Sequence, residues 1–144
     1  MTVSVVYWSG TGNTRIMAEA IAEGARAAGA AVEIGEVASA NLKSVLASQA
    51  IALGCPAMGA EVLEEGEMEP FVQSLETAGI KGKSVLLFGS YDWGDGQWMR
   101  EWEARMEKAG ARLEGKDYIV NLEPKDSDRA ALIDAGKKLA ASVA

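Results

Sequence analysis

Val3-Ser4-Val5-Val6-Tyr7-Trp8-Ser9-Gly10-Thr11-Gly12-Asn13-Thr14 joins a short β-rich run to a glycine turn and the start of a helix. The valines and tyrosine favour a strand, the glycines at 10 and 12 a tight loop, and Asn13 or Thr14 a helix cap. Behind that cap, Ile16, Met17, Ala20, Ile21 and Ala25 recur on one helical face, and Gly29 ends the helix.

The same strand–helix unit repeats along the chain. Residues 32–37 read as a second strand and 41–46 as a short helix or turn. Ala50-Ile51-Ala52-Leu53-Gly54 is a continuous apolar run, the pattern of a strand buried on both faces. A long loop precedes a helix through Pro70, Phe71, Val72 and Leu75. Ser84-Val85-Leu86-Leu87-Phe88-Gly89 reads as another buried strand, and a Gly- and Asp-rich loop then leads into a helix over 97–108. Trp98, Trp102, Ala104, Arg105 and Met106 lie along that helix; Trp98 and Trp102, four apart, read as core. Residues 112–122 form a last strand region, and Asp126 opens a C-terminal helix with Leu132, Ile133, Gly136, Leu139 and Val143 inward. Five such repeats argue a parallel sheet with helices on both faces, in one domain over residues 1–144. Right-handed crossovers favour the strand order 2-1-3-4-5, in which ligands sit beyond the strand carboxyl ends between strands one and three.

Composition narrows the chemistry. With no histidine and the single cysteine Cys55, the chain has no Ser–His or Cys–His machinery, no disulfide and no multi-cysteine metal site. Cys55, at the end of a buried strand, reads as a packing residue. Any redox or group-transfer chemistry therefore falls to a cofactor. A net charge of −7 disfavours nucleic acid and anionic membrane surfaces and favours basic protein partners. The charge is uneven: residues 44–80 contain no Lys or Arg but carry Glu61, Glu64, Glu65, Glu67, Glu69 and Glu76. The 64–69 stretch reads equally as a solvated turn or as an electrostatic element. The opening strand-like run, without a leader pattern or an apolar span, sets a cytoplasmic expectation.

The chemistry concentrates in three loops, after strands one, three and four. In the first, Ser9-Gly10-Thr11-Gly12-Asn13-Thr14, glycines let the backbone approach an anion while hydroxyls and a helix N-terminus supply donors. It lacks the lysine of a Walker loop, and Arg15 stands where the dinucleotide fingerprint has its third glycine. A cup of this kind suits one phosphate monoester, that of FMN, rather than a pyrophosphate.

Tyr7-Trp8-Ser9-Gly10-Thr11-Gly12-Asn13-Thr14 resembles the phosphate loop of flavodoxins. Gly54-Cys55-Pro56-Ala57-Met58-Gly59-Ala60-Glu61 and Phe88-Gly89-Ser90-Tyr91-Asp92-Trp93-Gly94-Asp95-Gly96 resemble the two flavin-ring loops of short-chain flavodoxins from anaerobic bacteria. The match spans essentially the whole chain. It implies a flavodoxin-like three-layer sandwich holding FMN non-covalently through residues 8–14, 56–61 and 90–94. Trp8 would close the phosphate end, Met58 lie on the inner ring face, and Trp93 stack on the outer one. Glu61 would hold the ring's N3 end.

The resemblance further implies a low-potential one-electron carrier, not an enzyme, working between the semiquinone and hydroquinone. Reversal of the Gly59–Ala60 peptide would offer the Gly59 carbonyl to protonated N5, and glycine makes that reversal sterically easy. With no Lys, Arg or His before Arg15 in the first loop, in the second, or before Arg100 in the third, an anionic hydroquinone meets no counter-ion. Partners would be redox proteins with basic docking surfaces, of ferredoxin type, and the chain a monomer. Asp92 replaces a glycine of the similar flavodoxins; where that backbone has positive φ, Asp tolerates it. Asp92 reads either as a turn residue or as a carboxylate beside the ring's N1–O2 edge. The competing assignment is an FMN-dependent oxidoreductase such as a quinone reductase. A phospho-receiver domain shares the strand order but needs acidic and lysine positions that are here Trp8-Ser9, Gly54-Cys55 and Ser90-Tyr91.

Overall fold

In the computed structural model, which describes residues 1–144, alternate side chains of each central strand enter different cores. Val3, Val5 and Tyr7 of β1 (Thr2–Tyr7) face one layer, and Val6 faces the other. β3 (Ala50–Gly54) repeats this with Ala50 and Ala52 against Ile51 and Leu53, and β4 (Ser84–Tyr91) with Leu86 and Phe88 against Val85 and Leu87. Period-two alternation with both faces apolar is what a continuous hydrophobic run becomes when helices cover both sides.

α1 (Asn13–Ala27) and α5 (Asp126–Ala141) cover the first face with Met17, Ile21, Leu132 and Leu139. α2 (Leu42–Ala47), α3 (Met68–Ala78) and α4 (Gln97–Lys108) cover the second with Val45, Val72, Leu75, Trp98 and Trp102. Trp98 and Trp102 are both 2% exposed, as their spacing predicts.

The sheet is parallel throughout, in the order β2 (Ala31–Glu36), β1, β3, β4, with the fifth place beyond β4. Registers such as Val5 with Ile34 and Ala52, and Ala52 with Leu86, hold the carboxyl ends of β1, β3 and β4 together. The expected order is therefore observed.

Residues 112–122 are not one strand. β5 (Arg112–Leu113) pairs with the start of β4 and β6 (Tyr118–Asn121) with its end. Between them Gly115 (φ +82°) and Asp117 (φ +63°) turn left-handed, which takes the chain off the ladder. Glu103 of α4 holds the detour by accepting the Asp117 amide at 3.0 Å, and burial raises the pKa of that carboxyl.

Candidate functional site

Loop one, between β1 and α1, is organised by Ser9. Its hydroxyl oxygen accepts the amides of Gly12 at 3.1 Å and Arg15 at 3.3 Å. The helix cap is thus neither Asn13 nor Thr14. Gly12 occupies the N-cap position at φ +97° with no side chain to offer. The left-handed turn there brings Ser9 to the amides that a capping side chain would serve.

This leaves the amides of Ser9, Gly10, Thr11, Asn13 and Thr14 without a protein partner. A row of free N–H groups at a helix N-terminus is an anion site by geometry and by dipole. Thr14 itself is spent on structure: its Oγ1 lies 2.8 Å from Ser90 Oγ and accepts the Ser90 amide at 3.4 Å, tying α1 to the end of β4.

Loop two follows β3. The Ala57 amide donates to Ser90 O at 3.0 Å, and Met58 and Val62 exchange amide–carbonyl bonds of 2.9 Å across Gly59-Ala60-Glu61. Gly59 (φ +49°) and Glu61 (φ +53°) are both left-handed, so this turn is sharply wound. Glu61 reaches across to loop three, where its carboxylate accepts the amides of Asp95 at 3.1 Å and Trp98 at 3.3 Å. It thereby caps α4, whose own N-cap, Gly96, has no side chain.

Glu64 plays the same part for α3. It is 9% exposed, and its carboxylate accepts the amides of Gly66 (2.8 Å), Glu67 (2.6 Å) and Met68 (3.1 Å). This part of the acidic stretch is a buried anchor rather than a solvated turn. Glu67 accepts the Trp8 indole N–H at 3.2 Å.

The absence of cations from residues 44–80 is made good in space. Arg105 of α4 forks onto Glu69 (2.8 and 2.7 Å) and Glu76 (3.0 and 2.8 Å). The paired carboxylates hold Arg105 charged, and the guanidinium hydrogen bond lowers the pKa of Glu69 below its ordinary 4.5.

Loop three leaves β4 at Tyr91. Asn121 Nδ2 donates to the carbonyls of Tyr91 and Asp92 at 3.2 Å, and the Leu122 amide donates to Tyr91 O at 2.8 Å. Asp92 does not adopt positive φ; Gly94 (φ +94°) and Gly96 (φ +93°) carry the left-handed turns of this loop. Asp92 therefore causes no strain at this position. Trp93 is 62% exposed. Cys55, fully buried behind the loops, packs among apolar residues, and desolvation pushes its thiol up to about 12.

These loops enclose an open cleft of about 240 Å³. Loop one gives Trp8, Gly10, Thr11 and Asn13; loop two Pro56, Ala57 and Met58; loop three Ser90, Tyr91 and Asp92. Ser9, Gly12, Thr14, Gly59, Ala60, Glu61, Trp93 and Gly94 lie outside its lining. Leu122, expected only as the end of a strand, lines it as well. The one signal for it in the sequence is an apolar residue inside the turn Asn121-Leu122-Glu123-Pro124. A hollow of similar size, about 200 Å³, lies over β1 and β2 beside α2, away from the three loops.

A doubly wound sheet with a cleft beyond its strand carboxyl ends, free amides on loop one and mostly apolar residues on loop two, defines the class of α/β proteins whose ligand site lies at the ends of the strands. The flavodoxin family model matches residues 5–136, and the chain belongs to that family of flavin-bearing electron carriers, which are not enzymes in themselves. It is 47% identical over 138 residues to a flavodoxin of Clostridium beijerinckii, covering 96% of this chain and 99% of that one. A flavodoxin of Megasphaera elsdenii is 49% identical over 122 residues, covering 85% and 88%. The solution structure of two-electron reduced Megasphaera elsdenii flavodoxin superposes with a TM-score of 0.87 at 45% identity, over 96% of this chain and 98% of that one. No helix is long and apolar enough to cross a membrane.

Proposed function

We propose that this carrier holds FMN through residues 8–14, 56–61 and 90–94, and works in the lower of its two one-electron steps. The observation that carries the reading is the row of partnerless amides in loop one, beside a cleft walled elsewhere by Pro56, Ala57, Met58, Tyr91 and Leu122 with Ser90 and Asp92 among them. A phosphate monoester satisfies such a row, and without one the amides gain nothing from being turned together.

Bound FMN supplies one-electron chemistry by accepting two electrons in separate steps. The chain decides how far apart those steps lie. Met58, a soft thioether lining the cleft, packs on the inner ring face. Trp93, exposed beside the left-handed Gly94, would stack on the outer face and exclude water there. Gly59 has open space where a Cβ would be, so its peptide would be free to reverse and its carbonyl would serve as an acceptor for a ring nitrogen. A carboxylate offers about four lone-pair sites, so Glu61 caps α4 and keeps capacity for the ring's N3–H. Asp92 adds negative charge to the cleft wall, and no Lys, Arg or His lines that wall. Such a wall would resist negative charge on a flavin ring held there.

The surface around the cleft suits redox proteins with basic docking faces, of the ferredoxin-partner type, met by a monomer in the cytoplasm. A redox titration followed by visible spectra tests the reading. A yellow protein that turns blue at half reduction and bleaches at low potential supports it. A protein that leaves FMN free in solution overturns it.

A further inference from the structure

Leu122 is in an unfavourable place for a leucine. Its backbone is left-handed at φ +61°, a conformation that glycine or asparagine adopts more cheaply. The turn is required, because here the chain leaves β6 for α5. The leucine is not. The residue is 51% exposed and joins neither of the two hydrophobic cores, so it adds little to the burial that holds the fold.

Its position is nonetheless fixed. The Leu122 amide donates to Tyr91 O at 2.8 Å, and the preceding Asn121 donates through Nδ2 to the carbonyls of Tyr91 and Asp92. Four hydrophobic residues of large size are exposed, Met1, Val62, Trp93 and Leu122, and of these Leu122 alone lines the cleft. Strain kept at a ligand-facing position, with no return in folding, points to a return in binding.

We infer that Leu122 is a fourth wall of the cofactor site, a leucine held left-handed so that its side chain closes against the carbon surface of the bound flavin nucleotide. The inference rests on the cofactor reading above. It assigns binding to a segment after β6 that none of the three loops includes. Burial of the exposed half of this side chain then occurs only in the holoprotein, and the apoprotein carries the strain alone.

The test compares wild type, Leu122→Gly and Leu122→Met, measuring FMN affinity by fluorescence quenching and apoprotein stability by urea unfolding. Leu122→Gly relieves the backbone and removes the wall. Its FMN dissociation constant should rise about four- to tenfold, as loss of half a leucine's burial implies, while its apoprotein midpoint stays level or rises. Leu122→Met, equally strained and equally apolar, should stay within about twofold of wild type in affinity, as volume-conserving swaps do. An unchanged dissociation constant in Leu122→Gly would overturn the inference, and so would a fall in that variant's apoprotein stability. Failure of the wild type to bind FMN is a separate result, seen before any variant is compared, and would remove the cofactor reading together with the inference.

Discussion

At loop one a helix end is capped by a hydroxyl, Ser9 Oγ, and further amides are left free. At loops two and three the same structural task falls to carboxylates: Glu64 takes the amides that open α3, and Glu61 those that open α4. A neutral cap leaves the positive end of a helix available to an incoming anion, whereas a carboxylate cap neutralises it and brings a full negative charge with it. Loop one and the pair formed by loops two and three therefore present opposite fields although each holds a capped helix end. The inviting end is loop one, whose amides are free for an anion, and the resisting end is loops two and three, where the carboxylates of Glu61 and Glu64 sit.

The largest expected effect lies at the inviting end. Riboflavin, which lacks the phosphate, should bind at least about 100-fold more weakly than FMN, a loss of roughly 3 kcal/mol or more for charge-assisted hydrogen bonds to desolvated amides. Equal affinity for the two in a quenching titration would break the comparison. Next comes the carboxylate anchor. Glu64→Ala leaves three amides of the α3 start without their acceptor and should cost about 2–3 kcal/mol in urea unfolding of the apoprotein. A loss under about 0.5 kcal/mol, the range of ordinary surface substitutions, would show Glu64 to be solvated after all.

Trp93→Ala removes the proposed outer stack and should weaken FMN binding by roughly 1–3 kcal/mol, by analogy with base–aromatic stacking. Trp98→Ala, a core change, should act on stability instead. An FMN affinity untouched by Trp93→Ala would move the outer contact to Tyr91, the aromatic that lines the cleft.

Asp92→Asn sharpens the field at the resisting end. With a unit charge about 10 Å away, the Coulomb term is roughly 0.4–1.7 kcal/mol, or on the order of 20–70 mV for a one-electron couple. The lower potential should rise by that amount, the upper one should move less, and added salt should shrink the shift. Both potentials moving together would leave Asp92 a turn residue.

The smallest effect concerns acid. Glu69 has a lowered folded-state pKa, chiefly through its hydrogen bond to Arg105. Its contribution to stability is complete above the unfolded value near 4.5 and is lost as pH falls through the folded value. Arg105→Met removes that partner, so the decline in urea midpoint below pH 4.5 should be shallower than in wild type. Parallel declines would mean that the guanidinium does not hold Glu69 ionised.

The fold was readable because its strands are short apolar runs separated by amphipathic helices, and β3 and α4 fall where the sequence places them. Four features were not readable, each for a physical reason. The break between β5 and β6 depends on Asp117 turning left-handed under the hold of Glu103, a contact between residues fourteen apart. The roles of Glu61 and Glu64 as helix caps depend on loops folding back, so their spacing carries no capping-box pattern. Arg105 lies 36 residues from Glu69 and 29 from Glu76, and only helix packing brings them together. Leu122 reaches the cleft by the same kind of long-range placement, through Tyr91.

Cys55 bears on how this protein could be handled on a surface. The chain's only thiol is fully buried and has a pKa of about 12, so at neutral pH it presents almost no thiolate to maleimides or gold. To thiol chemistry the native protein is blank. One cysteine placed at an exposed site such as Lys108 would be the sole attachment point, so every molecule would be tethered to an electrode in the same orientation, with no native residue having to be removed first.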